Sequence, residues 1–161
     1  MRRVLCDTSP LQYLYHLGRI EVLRYLYGKV QVPHAVADEL RRGLQGGISL
    51  PRLEDHNWIV LVDIPIPKQL ALTINLGPGE MAVIAGGLAG FGGLLLLDDL
   101  RARAKAKSLG LAVTGTIGVL SAARRQGIIP SLSIELDKLE SCGFRLSSAL
   151  RLALDNVDPI D

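Results

Sequence analysis

Acidic side chains recur directly after short apolar runs in this sequence. Asp7 follows "VLC", and Asp98 and Asp99 follow "LLLL". If these runs are parallel strands, their carboxyl ends meet at one edge of a sheet, so the acids would share a crevice. Carboxylates gathered in this way repel one another unless they are protonated or share a cation, and hard oxygen ligands favour Mg²⁺ or Mn²⁺. The pattern therefore predicts a divalent metal site.

Two glutamates on predicted helices can join the aspartates. In "PHAVADEL", Glu39 lies three residues after Val36 and borders the apolar stripe of its helix. Glu80 opens the segment "PGEMAVIAGGLAG" and heads the buried face of that helix. Simpler roles are open for both: an ion pair of Glu39 with Arg41 or Arg42, and a first-turn acid at Glu80 that the helix dipole stabilises. A single acid after a strand is likewise typical of a helix cap.

Hydroxyl and basic side chains accompany the acids, as the binding of a phosphate polyanion would require. The basic run "RARAKAK" fits a solvated helix face equally well, so both interpretations of that run stay open. Candidates for substrate contact are Thr8, Ser9, Arg101, Arg103 and Thr114, and Thr116, Arg124 and Arg125 lie close to them in the sequence.

Apolar runs alternate with amphipathic segments, and this alternation predicts the elements that must position the acids. We expect strands at "RRVLC", "KVQVP", "WIVLVDI", "LLLL" and "LAVTG", with helices between them. The first helical segment should break at Gly18, and the helix that starts at Pro33 should end at Gly43. Residues 43–57 should form a loop, and residues 131–157 two helices. The fold class predicted is α/β, a three-layer α/β/α arrangement with a central parallel sheet of four to five strands.

The composition excludes several classes of protein. A single domain over residues 1–161 is expected, because a chain of this length can bury about two thirds of its unfolded surface. Apolar residues make up 48% of the chain and charged residues 21%, which is typical of a globular protein. The net charge of +2 does not by itself indicate nucleic-acid binding. Cys6 and Cys142 form neither a disulfide framework nor a zinc motif, so a cytoplasmic protein is expected.

One uncharged stretch, residues 81–97, approaches the length of about 20 residues that a membrane span needs. Glycines interrupt it, and Glu80 and Asp98 flank it, which favours a helix, a turn and a buried strand instead. The apolar run in "MRRVLCDTSP" is too short for a signal peptide. We therefore predict no membrane association.

Five motifs together resemble a known family. "VLCDTSPL", "VPHAVADEL", "LGPGEMAVI", "LLLLDDLRARAKAKSLGL" and "VTGTIGVL" are similar to PIN domains, and in particular to the DUF3368-type group. The resemblance extends from Val4 to "GFRLS" near the end of the chain. It implies a parallel sheet flanked by helices and a Mg²⁺- or Mn²⁺-dependent ribonuclease, often the toxin of a toxin–antitoxin pair. RNA and a small antitoxin protein are then the implied partners.

The resemblance also implies roles for individual acids. The first acid of the family corresponds to Asp7, the second to Glu39, and the third, usually an aspartate, to Glu80. The fourth belongs to the aspartate pair, where the family pattern favours Asp99 and leaves Asp98 as a helper or a cap. The implied catalytic residues are Asp7, Glu39, Glu80 and Asp99, and the implied metal ligands are Asp7, Glu80, Asp98 and Asp99. Glu39 would ligate the ion directly or orient a water.

Other hypotheses remain open beside RNA cleavage. Thr114 matches a position that often carries asparagine or serine in the family. Together with the glutamate at position 80, this departure from the family pattern favours a second hypothesis, a PIN-like nucleic-acid-binding protein without turnover. Phosphoryl transfer through Asp7 as a nucleophile lacks the second aspartate that the haloacid-dehalogenase pattern has two residues on. The C-terminal leucines, Leu146, Leu150, Leu152 and Leu154, could form a homodimer or partner contact, or could pack in the core.

Overall fold

Five parallel strands form one sheet in the part of the chain that the structure describes. The computed structural model describes residues 2–73 and 75–157. The strands are β1 (Val4–Cys6), β2 (Val30–Pro33), β3 (Ile59–Val62), β4 (Leu94–Leu96) and β5 (Val113–Thr114), and their order is β3-β2-β1-β4-β5. The helices are α1 (Thr8–His16), α2 (Val22–Tyr27), α3 (His34–Gln45), α4 (Lys68–Thr73), α5 (Pro78–Leu88), α6 (Leu100–Ser108), α7 (Thr116–Arg125), α8 (Leu132–Ser141) and α9 (Ser148–Val157), and a 3-10 helix spans Leu53–Asp55. The predicted α/β fold with a parallel sheet of four to five strands is confirmed.

The central strand is β1. Val4 is in register with Val30 of β2 on one side and with Leu94 of β4 on the other. All three residues of β1 are fully buried, which explains why the strand is apolar throughout rather than alternating. The sheet order reverses at β1, so a crevice opens at the carboxyl end of this strand, where Asp7 lies.

Two glycines act differently from each other. Gly18 has a positive φ of 68° and separates α1 from α2, which confirms the predicted break. The predicted helix end at Gly43 is wrong, because α3 continues to Gln45. A Cβ at Gly43 would lie 2.4 Å from Cδ1 of Leu50, so this glycine makes room for a core leucine instead of ending the helix.

The uncharged stretch 81–97 forms the body of α5, a glycine turn and β4. Gly90 takes a positive φ of 83° in that turn, after α5 has ended at Leu88. Within residues 2–73 and 75–157, no helix is both long enough and apolar enough to cross a membrane.

A buried ion pair connects the turn after α1 to α8. Glu135 of α8 is only 1% exposed. Arg19 donates to its Oε1 from Nε at 2.8 Å, and Nη2 of Arg19 lies 2.7 Å from the same oxygen. Nζ of Lys138 is further away, at 4.0 Å. Arg19 is therefore the main partner of a buried negative charge. Removing Arg19 would leave the Glu135 carboxylate unpaired in a low-dielectric environment.

Arg19→Met should lower the free energy of unfolding by about 2 kcal/mol or more, because the Glu135 carboxylate stays buried without its main partner. Urea denaturation at neutral pH measures the difference. Arg52→Met is the matched control, since Arg52 and Glu54 form an ion pair in which both side chains are more than two-thirds exposed. The control should change stability by less than about 0.5 kcal/mol. Equal, small effects of the two substitutions would contradict the argument.

Candidate active site

A cleft of about 780 Å³ lies at the carboxyl ends of β1, β4 and β5. Three strand-to-helix turns and the first turn of α5 supply its polar residues, as the sheet topology requires. The predicted metal ligands Asp7, Glu80, Asp98 and Asp99 all line this cleft, together with Ser9, Arg103 and Thr114. The fold therefore brings the four predicted metal ligands to one cleft.

Asp7 is the most deeply buried of these acids. It is 5% exposed, and its Oδ1 has no hydrogen-bond partner among the described residues. Burial is the main cause that raises the pKa of Asp7 from 3.8 to about 7. A backbone hydrogen bond from Thr8 opposes this rise, whereas the charges of Glu80, Glu39 and Asp98 add to it. A free, buried carboxylate oxygen is a ready ligand for a cation.

Glu39 holds two other elements in place. Its Oε2 accepts a hydrogen bond from Oγ1 of Thr8 at 2.5 Å, and its Oε1 accepts one from the backbone N–H of Gly79 at 2.9 Å. A Cβ at Gly79 would lie 2.7 Å from Oε1 of Glu39 and 3.0 Å from Oδ1 of Asp7. Glycine therefore lets the N-terminus of α5 approach both carboxylates, where its dipole favours negative charge.

Glu80 lies in the first turn of α5 and is half-buried. Its Oε2 accepts a hydrogen bond from the backbone N–H of Gly77 at 3.3 Å. Burial and then the charge of Asp99 raise the pKa of Glu80, and the hydrogen bond from Gly77 lowers it. The charge of Arg101 also lowers this pKa, although Arg101 does not line the cleft and Arg103 does.

Asp98 is fixed by three hydrogen bonds. The backbone N–H of Thr116 donates to its Oδ1 at 2.7 Å, and Oγ1 of Thr116 donates to its Oδ2 at 2.7 Å. Oγ of Ser9 donates to the same Oδ2 at 2.9 Å. Asp98 thus connects the turns after β1, β4 and β5 in one network.

Asp99 is exposed and caps α6. Its Oδ1 accepts a hydrogen bond from the backbone N–H of Ala102 at 2.9 Å. Asp98 was expected as a helper or a cap, and Asp99 is the residue that caps this helix. Asp98 raises the pKa of Asp7, whereas Asp99 raises that of Glu80, so the two aspartates serve different parts of the cleft. The assignment of Asp99 as a metal ligand stays a prediction.

Thr116 was noted beside the candidate residues in the sequence but was not among the predicted site residues. It is fully buried and supplies two of the three donors to Asp98. Thr116 is the first residue of the helix that follows β5, and this position at the carboxyl end of a strand is the signal that could have identified it. The selected Thr114 is half-buried and lines the cleft, and a Cβ at Gly118 would lie only 1.9 Å from its Oγ1.

Three polar residues expected to contact substrate use their side chains in hydrogen bonds within the protein. Thr8 and Ser9 use their hydroxyl groups to donate to Glu39 and Asp98. Arg103 donates from Nη1 to the backbone oxygen of Leu97 at 3.0 Å, although it also lines the cleft. Arg124 and Arg125 lie in the last turn of α7, which places them about 12 Å or more along the helix axis from its first residue at the cleft.

The donor set fits a hard cation only in part. Among residues 2–73 and 75–157, no group of three or more His, Cys, Asp or Glu side chains is arranged so as to hold a metal ion. However, Oδ1 of Asp7 is a buried carboxylate oxygen without a partner, with other acids close enough to raise its pKa. Mg²⁺ is commonly held by one or two carboxylates, while waters and substrate phosphates complete its shell. The residues present fit a cation bound in that way.

The comparison with known families agrees with this geometry. A family model described as "DUF3368: PIN domain" matches residues 3–155, which include every candidate site residue. No curated protein matches the chain.

Asp7 should make the metal-free protein less stable as the pH rises. The folded chain keeps a proton on Asp7 up to about pH 7, whereas the unfolded chain loses it near pH 4. The stability that this proton contributes is therefore full below about pH 4 and is lost as the pH rises to about 7. In EDTA, urea denaturation should show a larger fall for the wild type than for Asp7→Asn, by on the order of a few kcal/mol.

Added Mn²⁺ tests the same carboxylate through metal binding instead of protonation. It should raise the melting temperature of the wild type at pH above 7 and leave that of Asp7→Asn unchanged. Identical pH profiles of the two proteins in EDTA would contradict the effect of burial on Asp7.

Thr116→Val should weaken Mn²⁺ binding by about 10-fold or more, because one donor that orients Asp98 is lost while the side-chain shape is kept. A calorimetric titration with Mn²⁺ measures the change. Ser121→Ala removes a hydroxyl group from the same helix away from Asp98 and should bind Mn²⁺ as the wild type does. An unchanged affinity of Thr116→Val would show that Asp98 does not take part in metal binding.

Proposed function

Because the chain belongs to the DUF3368 group of PIN domains, a family of mostly metal-dependent nucleases, we propose that it is a ribonuclease that hydrolyses RNA phosphodiester bonds with Mg²⁺ or Mn²⁺. The observation that carries this proposal is the carboxylate of Asp7. It is buried at the switch point of the sheet, and one of its oxygens has no partner among the described residues. Burying an unpaired carboxylate costs free energy, and a bound cation or proton at this position would remove that cost.

The candidate ligands in this proposal are Asp7, Glu80, Asp98 and Asp99, of which one or two would bind the ion directly while waters and substrate phosphate complete its shell. Mg²⁺ or Mn²⁺ bound by them would polarise a phosphate and lower the pKa of the attacking water. Ser9 and Thr116 fix the direction of the Asp98 carboxylate, because three of its lone pairs accept their hydrogen bonds. Arg103 adds a positive charge to the cleft, which favours the approach of a phosphate.

Glu39 acts as a positioning residue in this arrangement. Both of its carboxylate oxygens accept hydrogen bonds, one from Thr8 and one from Gly79. It therefore keeps the start of α5 against the turn after β1, and with it the distance between Asp7 and Glu80. Its charge also raises the pKa of both acids, which strengthens their preference for a cation.

A binding protein without turnover is the alternative, and one observation favours it. No three acids among the described residues are arranged so as to hold an ion by themselves, and Asp98 already accepts three hydrogen bonds. Retention of RNA that does not depend on metal, without cleavage, would support this alternative.

The biological setting proposed is that of a cytoplasmic toxin paired with a small antitoxin protein. The family supports this setting, and a short open reading frame directly upstream would add to the support. Of the C-terminal leucines, Leu146 and Leu154 pack against the core, whereas Leu150 and Leu152 are exposed. A contact with an antitoxin or with a second copy in a homodimer would therefore use Leu150 and Leu152.

Asp7→Asn and Asp98→Asn should each slow the cleavage of a structured RNA in Mg²⁺ or Mn²⁺ by about 100-fold or more. Asp99→Asn keeps the helix cap, because asparagine caps as well as aspartate, so any loss of rate in this variant reports the charge of Asp99. Gel analysis of the RNA over time measures all three rates.

Asp38→Asn is the matched control for these variants. Asp38 precedes Glu39 on α3, but its carboxylate pairs with Arg41 on the exposed side of that helix. The control should cut RNA at the rate of the wild type. If Asp7→Asn and Asp98→Asn also cut at that rate, the active site lies elsewhere.

A further inference from the structure

The C-terminal arm, residues 143–157, closes one side of the acidic cleft. Gly143, Phe144 and Arg145, in the connection between α8 and α9, line the cleft, as does Leu150 in the first turn of α9. Gly143 has a positive φ of 92°, which turns the chain from the end of α8 towards the cleft. The acids of the sheet edge and the residues of the arm therefore face one open cleft.

The arm differs in chemistry from the acidic side of the cleft. Phe144 packs edge to face against Tyr13 of α1, with ring centroids 4.9 Å apart and an angle of 78° between the rings. Leu150 is 42% exposed. Arg145 is exposed, and none of the ion pairs between described residues includes it. Aromatic and aliphatic surface binds nucleobases, and an unpaired arginine binds phosphate, so this side suits a nucleotide.

Arg151 fixes the position of the arm. Its guanidinium lies between α8 and α9, and its side chain is only 20% exposed. The partners are the carboxylates of Asp137, Glu140 and Asp155, at 2.8, 2.9 and 3.0 Å, and the backbone and side-chain oxygens of Ser133, at 3.2 and 3.0 Å. Because one side chain makes all these contacts, the start of α9 is held against α8 and the cleft wall is formed before substrate arrives.

We propose that the arm is a subsite for one unpaired nucleotide next to the scissile phosphate. The base lies against Phe144 and Leu150, and the neighbouring phosphate lies on Arg145. This inference rests on the proposed nuclease function and adds the residues, outside the acid cluster, that hold the nucleotide. A base can lie against Phe144 only after it leaves its stack and its pair.

Binding of a fluorescein-labelled single-stranded RNA of about ten nucleotides to the full chain tests the subsite. Fluorescence anisotropy in Ca²⁺ gives the affinity, and a gel afterwards shows whether the RNA is intact. Leu150→Ala and Phe144→Leu should weaken binding by about 5- to 20-fold. Arg145→Gln should weaken it by about 3-fold and reduce the salt dependence by about one phosphate contact.

Two substitutions serve as matched controls and should bind the single strand as the wild type does. Leu152→Ala removes an exposed leucine from the same helix, outside the cleft. Arg52→Gln removes an exposed arginine that pairs with Glu54. Leu150 is itself partly exposed, so Leu150→Ala should fold even if Phe144→Leu loses stability through its contact with Tyr13.

The same RNA sequence closed into a hairpin duplex separates selection from general binding. The wild type should bind the single strand more tightly than the hairpin, and Leu150→Ala should reduce that ratio, which a loss of stability would not do. Mn²⁺ binding to the arm variants should equal that of the wild type, because the arm does not contribute to the acid cluster.

Arm variants that bind the single strand as tightly as the wild type overturn the proposal, and so does a wild type that does not bind it. A wild type that binds the single strand through the arm but does not cut RNA in Mg²⁺ or Mn²⁺ supports the subsite and overturns the nuclease function alone.

Discussion

The carboxylate of Asp7 is buried at the end of the central strand, and the rest of the site is arranged around this one charge. Burying a carboxylate is unfavourable unless it is paired or protonated, and one oxygen of Asp7 has no partner among the described residues. Three further acids raise its pKa instead of lowering it. A cation bound at this position would therefore stabilise the folded chain, because it would remove the cost of burying an unpaired carboxylate.

The other acids of the cluster are tolerated because each accepts hydrogen bonds. Backbone N–H groups at the starts of α5, α6 and α7 donate to Glu39, Asp99 and Asp98 respectively. Three helix N-termini thus point their positive ends at the same cleft. Two arginine side chains away from the cleft stabilise the rest of the fold: Arg19 in its buried ion pair with Glu135, and Arg151 in its contacts between α8 and α9.

The sequence was sufficient to predict which residues gather, because the site is built at one edge of a parallel sheet. An acid that directly follows an apolar run must lie at that edge once the run is a strand, and this local rule identified Asp7 and the pair Asp98 and Asp99. The position of Glu39 followed from the helical periodicity and the family resemblance. Its contacts with Thr8 and Gly79 did not, because they join segments that are far apart in the chain.

Local sequence patterns could not predict roles that depend on packing between distant segments. Which of two adjacent aspartates turns inward is decided by Thr116 and Ser9, two residues from other strand-to-helix turns. The course of α3 beyond Gly43 is decided by Leu50, which occupies the space of the missing side chain. In both cases a short motif leaves two outcomes open, and a tertiary contact selects one of them.

The glutamate at position 80 shows how local and distant constraints meet. An aspartate there would be shorter by one methylene group and would reach less far from α5. The longer side chain accepts a hydrogen bond from Gly77 of its own helix start while the charge of Asp99, at the rim of the cleft, acts on it. Meanwhile Gly79, one residue earlier, holds the same helix start against Glu39, beside Asp7. The first turn of α5 therefore contacts Glu39 beside Asp7, and the charge of Asp99 acts on the same turn through Glu80.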